Sequence, residues 1–169
     1  MARIIRAVAL DVDGVLTDGT VWLGPADAQW KRVAFLDVMG VSRARRAGLR
    51  FALISGEDGA PLQAVASKFG ITDVWGGCKD KSAALEDFAA RHGLDVAAIA
   101  FVGDDINDVD ALRRAGLGVA PANAHRTARD AARLTTRAAG GAGAVRELLD
   151  ALVAAEWDAE RVIATWSAA

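Results

Sequence analysis

Short, wholly apolar runs recur along this chain, and each stops at a glycine, a serine or an acid. Ala7-Val8-Ala9-Leu10, Phe51-Ala52-Leu53-Ile54 and Ala97-Ala98-Ile99-Ala100-Phe101-Val102 lack the alternation of a strand with one wet face. They are also too short for buried helices, so they read as strands covered on both sides. The pattern predicts strands over 6–12, 50–54, 71–75, 97–102 and 117–120. Between them it predicts helices over 41–47, 60–69, 80–92, 108–115, 124–131 and 144–155, the last entered through a flexible turn at Gly140, Gly141 and Gly143. Several close on a glycine, as helices commonly do: Gly48, Gly70, Gly93 and Gly116. Strands alternating with helices imply an α/β fold of the Rossmann-like kind, a parallel sheet with helices on both faces and right-handed crossovers.

One region departs from that rhythm. After the first strand, Thr20-Val21-Trp22-Leu23 and the run from Gln29 to Phe35 flank Gly24-Pro25-Ala26-Asp27. Two β-rich runs about a Gly-Pro turn read as a hairpin over 20–35. A lone hairpin is marginal in water, so Trp22 and Trp30 are expected to pack on the domain or on another subunit. The tail over 156–169 carries Trp157 and Trp166 and reads as a helical extension, on its own subunit or on another.

The polar residues gather where the strands end. The first strand runs into Asp11-Val12-Asp13-Gly14, the second into Ser55-Gly56-Glu57-Asp58, and a later one into Gly103-Asp104-Asp105-Ile106-Asn107-Asp108. Lys81 opens the helix after the third strand. In a parallel sheet these groups share the carboxyl edge, where ligands bind. Asp11 and Asp13 project the same way from an extended segment, so their charges need a cation. Mg²⁺ suits them, being hard and oxygen-seeking. Asp11 and Asp104 are candidate direct ligands, with the Asp13 carbonyl; Asp105 or Asp108 are candidates through water. Ser55 and the amides of Gly14 and Gly56 offer donors to a phosphoryl group, and Lys81 offers a compact positive charge. The set points to phosphoryl transfer onto a carboxylate. That task demands several groups together, because the uncatalysed hydrolysis needs up to roughly 20 kcal/mol of help.

Composition narrows the setting. The chain has 169 residues, enough for a single domain over 1–169. Its net charge of −2 argues against a basic nucleic-acid surface. No apolar run is long enough to span a membrane. The start, Met1 to Arg6, runs straight into the first strand and shows no cleavable leader. The lone Cys78 suits a reducing, cytoplasmic setting and reads as a small hydrophobe.

With four such motifs in order, the chain resembles the haloacid dehalogenase superfamily of phosphatases. Leu16-Thr17-Asp18-Gly19, the lack of an inserted cap domain, and Gly140-Gly141-Ala142-Gly143-Ala144-Val145-Arg146-Glu147 narrow the likeness. They resemble the capless subfamily containing 3-deoxy-D-manno-octulosonate 8-phosphate phosphatase and 2-keto-3-deoxynononate 9-phosphate phosphatase. The resemblance implies that Asp11 is the nucleophile and that Asp13 is the general acid, later activating water. It implies Mg²⁺, a sugar phosphate substrate and a homotetramer, with the hairpin and tail of one subunit covering a neighbour's site.

Two departures bear on the substrate. The octulosonate enzymes carry Thr-Gly-Arg after the second strand, where this chain has Ser55-Gly56-Glu57. Glu57 resembles the nine-carbon branch, which is the preferred expectation. Asp37-Val38 stands where the family has Asp-Gly, which leaves the local geometry open. A second functional class is a non-catalytic oligomerisation module, like the domain appended to some sialic-acid cytidylyltransferases. A phosphoaccepting receiver domain would also use acids, a Ser and a Lys, but gives no reason for the Asp11-x-Asp13 pair or the hairpin.

Overall fold

A computed structural model describes residues 3–167; the readings made of Met1, Ala2, Ala168 and Ala169 lie outside these described residues. Its centre is a six-stranded, wholly parallel sheet. Along the chain run β1 (Ala7–Leu10), β4 (Arg50–Ile54), β5 (Asp73–Trp75), β6 (Ile99–Val102), β7 (Leu117–Ala120) and β8 (Leu134–Thr135), in spatial order β5-β4-β1-β6-β7-β8. The chain builds outward from β1 in one direction, returns, and builds outward in the other. The reversal lies beside β1, whose Val8 pairs with Phe51 on one side and Ala100 on the other.

Alternate residues of the strands feed two apolar layers. Val8, Leu10, Phe51 and Leu53 face α1 (Phe35–Arg46), α2 (Ala60–Phe69), α6 (Ala144–Ala154) and α7 (Ala159–Ser167). Ala7, Ala9, Ala52 and Ile54 face α3 (Lys81–Arg91), α4 (Val109–Arg114) and α5 (Arg126–Ala131). The small side chains of β1 on the second face make room for Phe88 and Phe101, both fully buried.

Three elements differ from the sequence expectation. The hairpin is real but short, β2 (Trp22–Leu23) against β3 (Gln29–Trp30), with Trp22 opposite Trp30. Its expected second strand to Phe35 gives way to α1, which begins at Phe35 rather than Val41. That helix buries Asp37, Gly40, Val41 and Ala44, a helical spacing, while Phe35, Leu36 and Met39 are exposed. Its apolar pattern is therefore turned outward in its first half, which hides the helix from a periodicity reading. Val38 lies inside this helix, half-buried, so no glycine is needed at the position. The third difference is β8, two residues too brief to show a pattern.

The tail packs on its own chain. Trp157, Ile163 and Trp166 lie against the first core layer. The Ile5 amide donates to the Trp157 carbonyl, and the Ala159 amide to the Arg3 carbonyl. These contacts hold α7 beside the segment that enters β1, at the edge opposite the strand ends.

Candidate active site

At the carboxyl ends of β1, β4 and β6 the sequence-predicted groups meet around one cavity of about 340 Å³. Asp11, Asp13, Ser55, Gly56, Glu57, Lys81, Asp104 and Asp105 line it, with Gly19 and Asn107. The sheet's reversal opens the crevice, because the loops after β4 and β6 leave β1 in opposite directions.

The loop after β1 is wound tightly. The amides of Val15, Leu16 and Thr17 all turn back to the Val12 carbonyl. The buried Thr17 hydroxyl accepts from the amides of Gly14 and Gly19, at 3.3 and 3.2 Å. Gly14 has φ of +84°, and a Cβ there would lie 1.9 Å from Asp104 Oδ2. The glycine thus lets the loops after β1 and β6 touch. The loop before α6, read from sequence as a flexible turn, is instead a packed wall. Gly140 approaches so closely that a Cβ would sit 1.7 Å from the Gly14 carbonyl oxygen, and the Gly141 amide donates to Val15. Asp37 fixes that wall from α1, accepting from the amides of Arg146 at 2.8 Å and Gly143 at 3.3 Å.

Lys81 lies in the interior between two carboxylates, 2.6 Å from Asp108 Oδ1 and 3.0 Å from Asp11 Oδ2. Asp108 is fully buried, and its other oxygen accepts from the amides of Asp104 and Asp105. It stands behind the cavity wall and ties the β6 loop to the lysine. Asp105 caps the turn that follows, through the Ile106 amide. Burial by itself would lower the Lys81 ammonium's pKa, but the charges of Asp11 and Asp108 overcome it and raise the pKa. Burial pushes the Asp11 carboxyl up to about 8, against the pull of Lys81, and the charge of Asp108 adds to the rise. Asp104 is pushed up to about 6 by burial and by the charges of Asp108 and Asp105.

These acids hold more negative charge than one lysine can balance. Asp11, Asp104 and Asp108 each offer an oxygen within 4.8 Å of the others. Asp11 and Asp104 border the cavity, so this pair fits a hard divalent cation, while Asp108 is spent on Lys81 and two amides. Ser55 is buried, and its oxygen accepts from the Glu57 amide, leaving its hydroxyl proton for a ligand. Asp13 is about one-third exposed, at the cavity mouth.

Some side chains paired with the loop after β1 escaped the sequence reading. Lys31, from the end of the hairpin, reaches Asp13 Oδ2 at 2.8 Å, and the next residue, Arg32, reaches Asp18 at 3.0 Å. The signal was the polar alternation Gln29-Trp30-Lys31, in which Trp30 faces out and Lys31 faces in. Other titratable residues lie elsewhere. His92 pairs with Asp73 at 2.8 Å at the start of β5. His125 accepts from the Thr127 amide, Asp110 is exposed at the start of α4, and Cys78 is half-buried with its thiol pKa raised by burial.

Residues 50–148 match the family model for haloacid dehalogenase-like hydrolases. The 3-deoxy-D-manno-octulosonate 8-phosphate phosphatase KdsC of Escherichia coli K12 is 35% identical over 155 residues, covering 92% of this chain and 82% of that protein. This chain belongs to the haloacid dehalogenase-like hydrolase family, among its phosphatases. The family likeness extends to three dimensions. A crystal structure of 3-deoxy-D-manno-octulosonate 8-phosphate phosphatase from Moraxella catarrhalis, in complex with magnesium ion, phosphate ion and a KDO molecule, superposes with a TM-score of 0.88. It is 31% identical, and the match covers 96% of this chain and 94% of that one. The cobalt-bound enzyme from Haemophilus influenzae gives a TM-score of 0.87 at 30% identity, covering 91% and 90%. The family's divalent-ion chemistry is that of Mg²⁺, and the cavity-facing pair Asp11 and Asp104 suits it. As in the sequence reading, the fold is the capless α/β form. Among the described residues, no helix is long and apolar enough to cross a membrane.

Proposed function

We propose that this haloacid dehalogenase-like hydrolase cleaves the phosphate monoester of a 2-keto-3-deoxy sugar acid through an aspartyl-phosphate on Asp11. The observation that carries the reading is the convergence of Asp11, Asp13, Ser55, Lys81 and Asp104 on one cavity. A non-catalytic module has no need of all five. Asp11, Asp104 and the Asp13 carbonyl would hold Mg²⁺, which when bound would supply neutralising charge for the phosphoryl group. Lys81 orients Asp11 and adds positive charge on the protein side. Ser55 donates its hydroxyl to a phosphoryl oxygen, with the amides of Gly14 and Gly56 as further donors.

In the first step an Asp11 oxygen bonds to phosphorus as the bond to the sugar oxygen breaks. Asp13 gives that oxygen its proton. In the second step Asp13 takes a proton from water, whose oxygen attacks phosphorus and releases inorganic phosphate and free Asp11. Asp105 and Asp108 are assigned to support of the cation side, Asp108 by holding the loop after β6.

The substrate for which the relatives are named supports 3-deoxy-D-manno-octulosonate 8-phosphate. Glu57, on the wall next to Asp13, supports a nine-carbon 9-phosphate instead, since it accepts from hydroxyl or N–H groups and repels carboxylates. The exposed apolar set Trp22, Leu23, Trp30, Phe35, Leu36 and Met39 supports self-association as a homotetramer, and the lone cysteine supports a cytoplasmic setting. The test is phosphate release from both sugar acid phosphates, with and without Mg²⁺, by the wild type, Asp11→Asn and Glu57→Arg. The expected result is Mg²⁺-dependent release that Asp11→Asn abolishes, with a preference that Glu57→Arg moves towards the eight-carbon acid. No release from either ester by folded protein supports the module instead. Light scattering that finds a monomer at micromolar concentration overturns the tetramer.

A further inference from the structure

The hairpin carries its polarity the wrong way round for a free ribbon. Trp22, Leu23 and Trp30 point outward, 73%, 76% and 56% exposed, while the Lys31 side chain turns inward and is only 7% exposed. A lysine ammonium is strongly hydrated on a flexible stem, so it goes inside only for a partner. The partner is Asp13, whose Oδ2 lies 2.8 Å from Lys31 Nζ. The neighbouring pair, Arg32 with Asp18, is more exposed and anchors the same strand to the same loop. Together they rivet the returning strand of the hairpin across the motif that follows β1.

We propose that Lys31 is a positioning residue for proton transfer, choosing which Asp13 oxygen carries the proton. The inference rests on the acid–base assignment of Asp13 made above. An ammonium has donors and no acceptor. The carboxyl oxygen that Lys31 holds must therefore accept, whether Asp13 is protonated or not. The proton goes on Oδ1, the oxygen free to face the leaving group. Without Lys31 the carboxyl, about one-third exposed, rotates, and either oxygen takes the proton. After the transfer, Lys31 remains beside the carboxylate that has to draw a proton from water. The hairpin thus becomes part of the proton path by acting through Asp13.

The test compares kcat/KM for two esters, 3-deoxy-D-manno-octulosonate 8-phosphate, whose alkoxide needs a proton, and p-nitrophenyl phosphate, whose phenolate leaves without one. For each variant the ratio of the two values cancels any unfolded fraction. Lys31→Met should raise the aryl-to-alkyl ratio about tenfold, Lys31→Arg should restore most of it, and Asp13→Asn should raise it by about 10²-fold or more. A ratio unchanged in Lys31→Met, beside a raised ratio in Asp13→Asn, overturns the role of Lys31 and leaves the site reading standing. A ratio unchanged in Asp13→Asn overturns the acid assignment and this inference with it. Wild-type protein inactive on both esters removes the phosphatase reading itself.

Discussion

Lys81 sits closer to Asp108, at 2.6 Å, than to Asp11, at 3.0 Å. The cation at the end of the first strand is thus held from behind by a fully buried acid, which also grips the amides of Asp104 and Asp105. Removing one partner from such a pair strands the rest. Lys81→Met should therefore cost stability of about 3–5 kcal/mol, besides its cost to activity. Urea unfolding followed by circular dichroism checks this. A loss under 1 kcal/mol would mean that water reaches the acids.

The acids around Lys81 give the metal-free protein a definite response to pH. Burial raises Asp11 from 3.8 to about 8, so between those values the folded state holds a proton that the unfolded chain has released. Stability without metal should accordingly fall as pH rises from about 4 to about 8. Saturating Mg²⁺ should flatten the trend, since it displaces that proton and its tighter binding at higher pH offsets the decline over the same window. Melting curves in chelator and in excess Mg²⁺, at pH steps across it, make the comparison. Parallel curves in the two conditions would count against the acids as the ion's site.

Gly14 is the point where two loops touch. Alanine there meets Asp104 Oδ2 and a φ of +84° that side chains disfavour. Gly14→Ala should push Asp104 aside, weaken Mg²⁺ binding and lower kcat/KM by about tenfold or more, with a smaller effect on melting temperature. Titration calorimetry with Mg²⁺ reads the first effect directly.

Asp37 lies away from the cavity yet holds the start of α6, and with it the glycine wall against Gly14. Asp37→Ala leaves buried amides without a partner and should cost about 2–3 kcal/mol. Hydrogen exchange should quicken first at residues 140–146. Protection unchanged there would show that packing alone keeps the wall in place.

Much of this site was legible from the chain, and for a local reason. An acid pair at the end of an apolar run, a serine after the next run and a second acid pair after a third are short-range patterns. Strand topology then brings them to one edge. The helix α1 was only half legible, because it buries Asp37 and Gly40 and exposes Phe35, Leu36 and Met39. Its first half turns its apolar residues away from the core, so the helical period does not show there. The glycine wall misled as well, because a run of glycines marks mobility and close packing with the same letters.

The sequence by itself determined the fold class and the candidate chemistry, since hydrophobic run length sets buried parallel strands and polar residues mark their ends. Only the tertiary structure decided which of the similar acids face the cavity and which are buried behind it. Asp108 and Asp104 are four residues apart and alike in kind, but one is buried with both oxygens engaged and the other borders the cavity. Lys31 was not singled out in the sequence, and its place over Asp13 depends on how a hairpin folds back across a loop 18 residues away. Burial and partnership are properties of packing, and packing joins residues that no local spacing connects.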